Sequence, residues 1–259
     1  MKNRSKINQL LNSWPHPTVM TMKHLKNKGY PYELVGSYLK NGWIVPLGSG
    51  AYIKSGSEVT WVGGVQALQN QLSLNVHVGD LTALSLQGRT QYVQFGKESL
   101  YLFATPKTKL PAWFVKQDWG VRLSYLTAHL FDEDQNLGLV DYEENQVLIK
   151  ISSKERAVLE LLYRVPQKMD FHHAEEIFEG LTTLKPDLLQ TLLEKCRSIK
   201  VKRLFLYLAE KNSYPWFEKL NFKKIDIGKG KRVIAKNGRL DSKYLITVPV
   251  SYEDRYGKE

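Results

Sequence analysis

The side chains best suited to chemistry lie in a short segment near the amino terminus, and their types suit contact with a nucleic acid. Between residues 31 and 40, apolar residues recur at helical spacing, which leaves Tyr32, Ser37 and Lys40 on the opposite face. Hydroxyl and ammonium groups on one exposed helix face can hydrogen-bond to the edges of bases. We therefore expect these three residues to read bases in a DNA groove.

A second group of residues around this helix suits contact with phosphates or with the minor groove. Its members are Lys23, Lys26, Ser49 and Lys54. Residues 1–58 contain eight Lys and Arg residues against two Glu residues, a formal net charge of +6. Such a density of positive charge favours DNA binding, because the phosphates then release their condensed counterions. The alternative is that the lysines only keep a small domain soluble.

The elements that must position these residues follow the order of a winged helix-turn-helix. The spacing predicts a first helix over residues 7–14, a second helix that Thr21 caps and Gly29 ends, and a third that begins at Pro31. Two β-prone runs joined by glycines then predict a hairpin over residues 43–53. In this module the third helix enters the major groove, and the hairpin braces it as a wing.

Length and composition indicate two globular domains. The chain has 259 residues and a formal net charge of +11, and 42% of the residues are hydrophobic and 24% charged. These values are typical of folded domains, and the length is ample for two cores. We expect an α+β fold, with a winged helix-turn-helix over residues 1–58 and a larger mixed α/β domain over residues 59–259.

Several features favour a cytoplasmic protein without a membrane partner. No apolar run approaches the roughly 20 residues that span a bilayer. The amino terminus is basic but lacks the sustained apolar segment of an export signal. The single cysteine, Cys196, cannot form an internal disulfide, which fits a reducing compartment.

The pattern beyond residue 58 predicts helices on either side of a small sheet. Helices are expected over 59–72 and 80–86, strands over 100–103, 113–115, 121–126 and 147–149, and further helices from Asp170, from Pro186 and over 199–211. Ser152 and Glu155 predict a capping box at the start of another helix. Asn237-Gly238 predicts a hairpin between residues 232–236 and 240–248.

A possible second surface lies on the helix expected over residues 199–211. Lys200, Arg203, Tyr207 and Lys211 recur there at intervals of three and four residues, which places them on one side. Residues 197–240 contain 13 basic against three acidic residues, a net charge of +10. Three interpretations stay open for this basic stripe: it contacts DNA beside the winged helix, it docks an acidic protein, or it is a solvated helix face.

The sequence contains none of the common motifs of metal-dependent or phosphate-binding enzymes. His172 and His173 stand beside Glu175 and Glu176, but adjacent helical residues point about 100° apart, so few of them share a face. No HExxH or CxxC pattern and no phosphate-binding loop occur. We therefore expect no catalytic residues, no metal ligands and no cofactor.

Three segments together carry a family resemblance. They read LKNKGYPYELVGSYLKNGWIVPLGSGAY, then GDLTALSLQG, then SSKERAVLELLY. In this combination the chain, from about Ile7 to Val248, resembles the AbiEi-type antitoxins of type IV toxin–antitoxin systems. The most telling part is Ser153–Glu160, in which Lys154 replaces the usual proline and leaves the helix start intact.

The resemblance implies a specific function. In this family a winged helix binds inverted repeats in the promoter of its own operon, and a larger carboxy-terminal domain neutralises a nucleotidyltransferase-like toxin. A stable complex of antitoxin and toxin is not expected, which favours DNA over protein as the partner of the basic stripe. The protein would be a monomer when free or would pair on DNA. The alternative is a one-component winged-helix transcription factor whose carboxy-terminal domain senses a ligand or a protein.

Overall fold

The computed structural model describes residues 2–14, 17–88, 98–131 and 136–250. The helices are α1 (Lys2–Ser13), α2 (Met22–Asn27), α3 (Tyr32–Lys40), α4 (Trp61–Gln66), α5 (Asp80–Leu86), α6 (Ala112–Lys116), α7 (Lys154–Arg164), α8 (Phe171–Glu179), α9 (Pro186–Lys195) and α10 (Ile199–Lys211). The strands are β1 (Met20–Thr21), β2 (Ile44–Gly48), β3 (Ala51–Lys54), β4 (Val76–Val78), β5 (Ser99–Ala104), β6 (Arg122–Thr127), β7 (Leu139–Glu144), β8 (Val147–Ser152), β9 (Arg232–Val233), β10 (Arg239–Asp241) and β11 (Ile246–Val248).

The described residues divide into two compact units. The first unit lies within Met1–Val78, Gln94–Ala128 and Val140–Ile151, and the second within Gly79–Val93, His129–Leu139 and Ser152–Glu259. The predicted domain boundary after residue 58 therefore falls inside the first unit.

The amino-terminal part of the first unit has the predicted order of a winged helix-turn-helix. Thr21 caps α2, since its hydroxyl accepts a hydrogen bond from the His24 amide at 3.2 Å. Gly29 follows α2 with a φ of +82°, which glycine adopts without strain. Pro31 stands immediately before α3. Buried side chains of α1, α2 and α3 share one core with Trp14, which follows α1; the members of this core include Ile7, Leu10, Leu25, Val35 and Tyr38.

The hairpin of β2 and β3 is fixed to the start of α2. Strand β1 pairs with β3, so that Met20 stands opposite Tyr52 and Thr21 opposite Ala51. At the turn, the Gly50 carbonyl accepts a hydrogen bond from the Met22 amide at 2.8 Å. The tip of the wing is thereby held next to the first residue of α2.

The remainder of the first unit packs directly on the winged helix. A five-stranded sheet has the order β6-β5-β4-β8-β7. An added Cβ at Gly48 would lie 2.8 Å from the Cβ of Trp113, so β2 and α6 are in close contact. An added Cβ at Gly63 would lie 2.2 Å from the Pro17 carbonyl oxygen, so α4 lies just as close to the segment before β1.

A buried glutamine bonds to the backbone on both sides of Met20. A π-helical turn, Ala67–Gln71, extends α4 and brings Gln71 to β1. The Gln71 amide oxygen accepts a hydrogen bond from the Thr21 amide at 2.8 Å, and its Nε2 donates to the Val19 carbonyl at 2.6 Å. These bonds satisfy buried backbone groups that water cannot reach.

The second unit is built around buried charges on α5 and α7. Arg164 donates to Asp80 at 2.8 Å, and Arg156 donates to Glu160 at 2.9 Å. The Ser152 hydroxyl also donates to Glu160, at 2.8 Å. All four charged side chains are buried, and two carboxylates balance two guanidinium groups. Opposite charges buried in contact avoid the high cost of an unpaired charge in a low-dielectric interior.

Two local expectations for the middle of the chain are wrong. The apolar run Trp113–Val115 is part of helix α6 and not of a strand, because Pro111 starts a helical turn there. The cap of α7 is Ser153 and not Ser152: the Ser153 hydroxyl accepts a hydrogen bond from the Arg156 amide at 3.3 Å. Glu155 does not complete the box as predicted, but accepts a hydrogen bond from the Lys185 amide at 2.7 Å.

The expected hairpin across Asn237-Gly238 is also wrong. The turn joins β9 to β10, but these strands do not pair with each other, since the sheet order is β10-β11-β9. Strand β11 lies between them, antiparallel to β10 and parallel to β9. It supplies the buried Ile246 and Val248, so the apolar strand takes the central position.

Replacing Gln71 by alanine should destabilise the protein by about 1 to 3 kcal/mol, because the Thr21 amide and the Val19 carbonyl would remain buried without this partner. Urea unfolding would measure the loss. The neighbouring, exposed Asn70 provides the control, and Asn70→Ala should change the free energy of unfolding by less than about 0.5 kcal/mol. Equal unfolding midpoints for the two variants would contradict the bridging role of Gln71.

The stability contributed by Asp80 should fall as the pH rises. Burial raises the pKa of Asp80 to about 6, although Arg164 opposes this shift. The unfolded chain releases this proton near pH 4. The contribution is therefore complete below about pH 4 and is lost as the pH rises through about 6.

Asp80→Asn removes this titration and retains a residue that tolerates the positive φ of +53° at this position. The free energy of unfolding of the wild type minus that of the variant should fall by up to about 3 kcal/mol between pH 4 and pH 7. Urea unfolding at a series of pH values measures this difference. A difference that grows over the same range would mean that the ion pair with Arg164 outweighs burial.

Candidate nucleic-acid interface

Helix α3 has one face in the core and one face in solvent. Val35 is 1% exposed and Tyr38 is 4% exposed, because both pack in the winged-helix core. Tyr32, which is 64% exposed, projects from the other face together with Ser37 and Lys40. The structure thus brings the three expected base-reading residues onto one exposed surface, which we call the α3 face.

Two residues that the sequence analysis did not single out support the α3 face. The Asn41 side chain donates to the Ser37 carbonyl at 2.8 Å and lies 3.4 Å from the Ser37 hydroxyl. Tyr52 on β3 packs against the winged-helix core: burial raises the pKa of Tyr52, and the Tyr32 hydroxyl adds to the shift. The burial along β3 does not alternate, so no sequence pattern indicated Tyr52, whose packing depends on the tertiary fold.

The residues expected to contact phosphates lie in separate places. Lys23 and Lys26 are exposed on α2, and Ser49 is exposed at the hairpin turn. The bond between Gly50 and Met22 brings Ser49 and Lys23 to the same end of the hairpin. Lys54 stands opposite Ile44 at the other end of the hairpin, so it cannot share a phosphate with Ser49.

Lys54 differs from the other lysines in its surroundings. Its side chain is half-buried, and burial lowers its pKa. The exposed indole of Trp43 lies at the same end of the hairpin, since the Trp43 carbonyl accepts a hydrogen bond from the Ser55 amide at 3.2 Å. Trp43 was another residue that the sequence analysis did not assign, and its indole N–H is a potential donor to phosphate.

The basic stripe expected on α10 does not form a continuous exposed surface, and the assignment of Arg203 to such a surface is wrong. Arg203 is 0% exposed. Its guanidinium donates to the carbonyl oxygens of Ile227 at 2.7 Å, of Gly228 at 3.0 Å and of Leu245 at 3.0 Å. The segment that follows α10 covers this side chain and leaves it no access to a partner.

The other three residues of the stripe have different environments. The Lys200 ammonium donates to the carbonyls of Tyr163, at 2.7 Å, and Val165, and burial lowers its pKa to about 8. Tyr207 is half-buried. Lys211 is exposed, and its ammonium lies 2.8 Å from a Glu175 carboxylate oxygen, which raises the pKa of Lys211. Lys211 is therefore the member of the stripe that remains exposed on α10.

The histidines of α8 form local pairs. His172 lies 3.7 Å from Glu175, and His173 lies 3.5 Å from Glu176, in both cases one helical turn apart. Across the described ranges, no three His, Cys, Asp or Glu side chains gather in the way that a metal ion requires. In the part of the chain that the structure covers, no helix has both the length and the apolar character needed to cross a bilayer.

A search of the solved structures shows a known fold. The chain is similar to the RV2827C protein from Mycobacterium tuberculosis, with a TM-score of 0.57 and 13% sequence identity over 95% of this chain and 91% of that chain. At this identity the likeness shows the fold alone. A search of curated proteins found no match.

Two family models match the sequence and together span nearly all of it. Residues 3–95 match the model described as "Transcriptional regulator, AbiEi antitoxin N-terminal domain". Residues 97–249 match the model described as "Transcriptional regulator, AbiEi antitoxin, Type IV TA system". The second match alone covers more than half of the chain. The protein therefore belongs to the AbiEi antitoxin family of transcriptional regulators in type IV toxin–antitoxin systems.

Proposed function

We propose that this protein represses its own operon by binding inverted repeats in the promoter, and that it neutralises a cognate nucleotidyltransferase-like toxin. The α3 face would enter the major groove, and Tyr32, Ser37 and Lys40 would contact base edges. Lys23, Lys26, Ser49 and Lys54 would contact phosphates or the minor groove. In this proposal, residues 1–58 are the DNA-binding domain, and residues 59–259 are the antitoxin domain.

The observation that carries the DNA part of the proposal is the polarity of α3. Its apolar side packs on α1 and α2, while its exposed side presents a phenol, a hydroxyl and an ammonium group. These groups can donate to the acceptors that bases present in the major groove. An exposed helix face that served solubility alone would have no need of the 64% exposed aromatic ring of Tyr32.

The distribution of lysines supports the same arrangement. Lys23 and Ser49 lie at the tip of the hairpin, and Lys54 lies at its base. The two ends of the hairpin would therefore bind different phosphates on either side of the inserted helix. Since two inverted half-sites require two symmetric protomers, we infer that the protein is a monomer when free or pairs on DNA.

The neutralising function is assigned to the antitoxin domain. We propose that this function needs no enzyme activity and no stable complex with the toxin. The burial of Arg203 supports the absence of a stable complex, because it removes the central charge from the surface that an acidic partner would bind. Binding to its own promoter would place the protein in the cytoplasm.

Lys40→Ala should weaken binding to the promoter about tenfold, because a good contact to a base edge contributes about 1 to 3 kcal/mol of discrimination. Binding to an unrelated duplex should change little. Lys54→Ala should instead weaken binding to both duplexes and reduce the salt slope of log K by about 1. A salt series with fluorescence anisotropy measures both effects.

The exposed Lys195 at the end of α9 provides the matched control, since Lys195→Ala removes the same charge far along the chain from the winged helix. Its binding curves should match those of the wild type. If Lys40→Ala and Lys54→Ala also bind like the wild type, the placement of DNA on the α3 face is wrong.

Substitutions in the full-length protein should abolish promoter repression without abolishing neutralisation of the toxin. The double variant Lys23→Glu, Lys40→Glu should lose promoter repression, because the negatively charged glutamates repel the phosphates of DNA. It should still protect cells from a co-expressed nucleotidyltransferase-like toxin. A reporter fusion and a growth assay measure the two activities. If the wild type represses its promoter but gives no protection, the alternative of a one-component transcription factor replaces the antitoxin proposal.

A further inference from the structure

An exposed glycine occupies the middle of the α3 face. Gly36 lies four residues after Tyr32 and four residues before Lys40, so the three positions are aligned along one side of the helix. Its neighbour on the same face is Ser37. Between these side chains, the backbone of α3 is itself exposed at Gly36.

Within the part of the chain that the structure describes, no neighbouring atom requires glycine at this position. Gly36 lies in a regular helix, and an added Cβ would meet no atom of the described residues within 4 Å. The contrast with Gly48 and Gly63 is clear, because at those positions an added Cβ would lie 2.8 Å from Trp113 and 2.2 Å from Pro17. Packing therefore explains Gly48 and Gly63 but does not explain Gly36.

Glycine also destabilises the helix at this position. In a helix interior it is less favourable than alanine, because the unfolded chain loses more conformational freedom on folding. Helix α3 has only nine residues, and its Pro31 cap supplies no side-chain hydrogen bond. A short helix with a weak start thus contains a destabilising residue at an exposed position where alanine would fit.

We propose that Gly36 is a positioning residue for DNA: it lets the backbone of α3 lie directly against the edges of the bases in the major groove. This inference rests on the proposed DNA-binding function and deepens it. Without a Cβ at the centre of the α3 face, the helix lies deeper in the groove. Tyr32, Ser37 and Lys40, which surround this centre, then reach the bases together. A methyl group at residue 36 would hold the helix away from the groove floor.

The proposal predicts opposite effects on stability and on binding. Gly36→Ala should raise the Tm by about 2 °C, because alanine favours the helix and has room. The same variant should bind a duplex of its own upstream region about tenfold more weakly, because the base contacts are lost. Binding to an unrelated duplex at low salt should change by less than about twofold, since phosphate contacts carry that affinity.

Two further variants sharpen the test. Gly36→Leu should bind the upstream duplex more weakly still, because its side chain is larger. Leucine is also a good helix former, so the helix should stay folded. Ser85→Ala, at an exposed position on α5, should favour its helix without any change in DNA binding. Thermal unfolding and fluorescence anisotropy on the full-length proteins provide both readouts.

Each other outcome has a defined meaning. If Gly36→Ala binds the upstream duplex as tightly as the wild type, this inference is overturned while the proposed function stands. A lower Tm for Gly36→Ala would show that the fold itself needs the glycine, which also overturns the inference. If the wild type does not prefer its upstream duplex to the unrelated one at any salt concentration, both the proposed function and the inference fail.

Discussion

The constraint on which the α3 face depends is that the helix can bury only one of its sides. Val35 and Tyr38 fill the core between α1 and α2, so the helix cannot rotate without exposing them and losing the burial of their apolar surface. The orientation of Tyr32, Ser37 and Lys40 is therefore set by the buried residues Val35 and Tyr38. The pairing of β1 with β3 and the bond from Met22 then fix the wing to the start of α2.

The second unit depends on a different kind of interaction. Two of the three segments that carry the family resemblance, residues 79–88 and 152–163, contain Asp80, Arg156 and Glu160. The structure joins these segments through a buried hydrogen bond, since the Asp80 amide donates to Glu160 at 3.3 Å; the Asp80 carboxylate also accepts from Arg164, the residue after the second segment, at 2.8 Å. Two stretches that are distant in sequence thus form one buried polar contact between α5 and α7.

The sequence correctly predicted those features of the winged helix that depend on interactions between residues close together in the chain. The cap at Thr21, the turn at Gly29 and the two sides of α3 follow from hydrogen bonding and helical periodicity within a few residues. The burial of Arg203 could not be predicted in this way, because the carbonyls that surround it come from residues 227–245. Periodicity places side chains on one side of a helix, but only tertiary structure decides whether later parts of the chain cover that side. The strand predicted at Trp113–Val115 was wrong for a related reason, since a run of three apolar residues is compatible with a strand or a helix.

The side chain of Gln71 limits how this protein can be divided or recombined. It supplies hydrogen bonds to backbone groups at Val19 and Thr21, which belong to the winged helix, although it lies beyond the proposed boundary of that domain. A fragment cut after residue 58 would leave two buried polar groups without their partner. The winged helix of this chain is therefore not a free module, and any chimera that uses it must also include α4 and its π-helical turn.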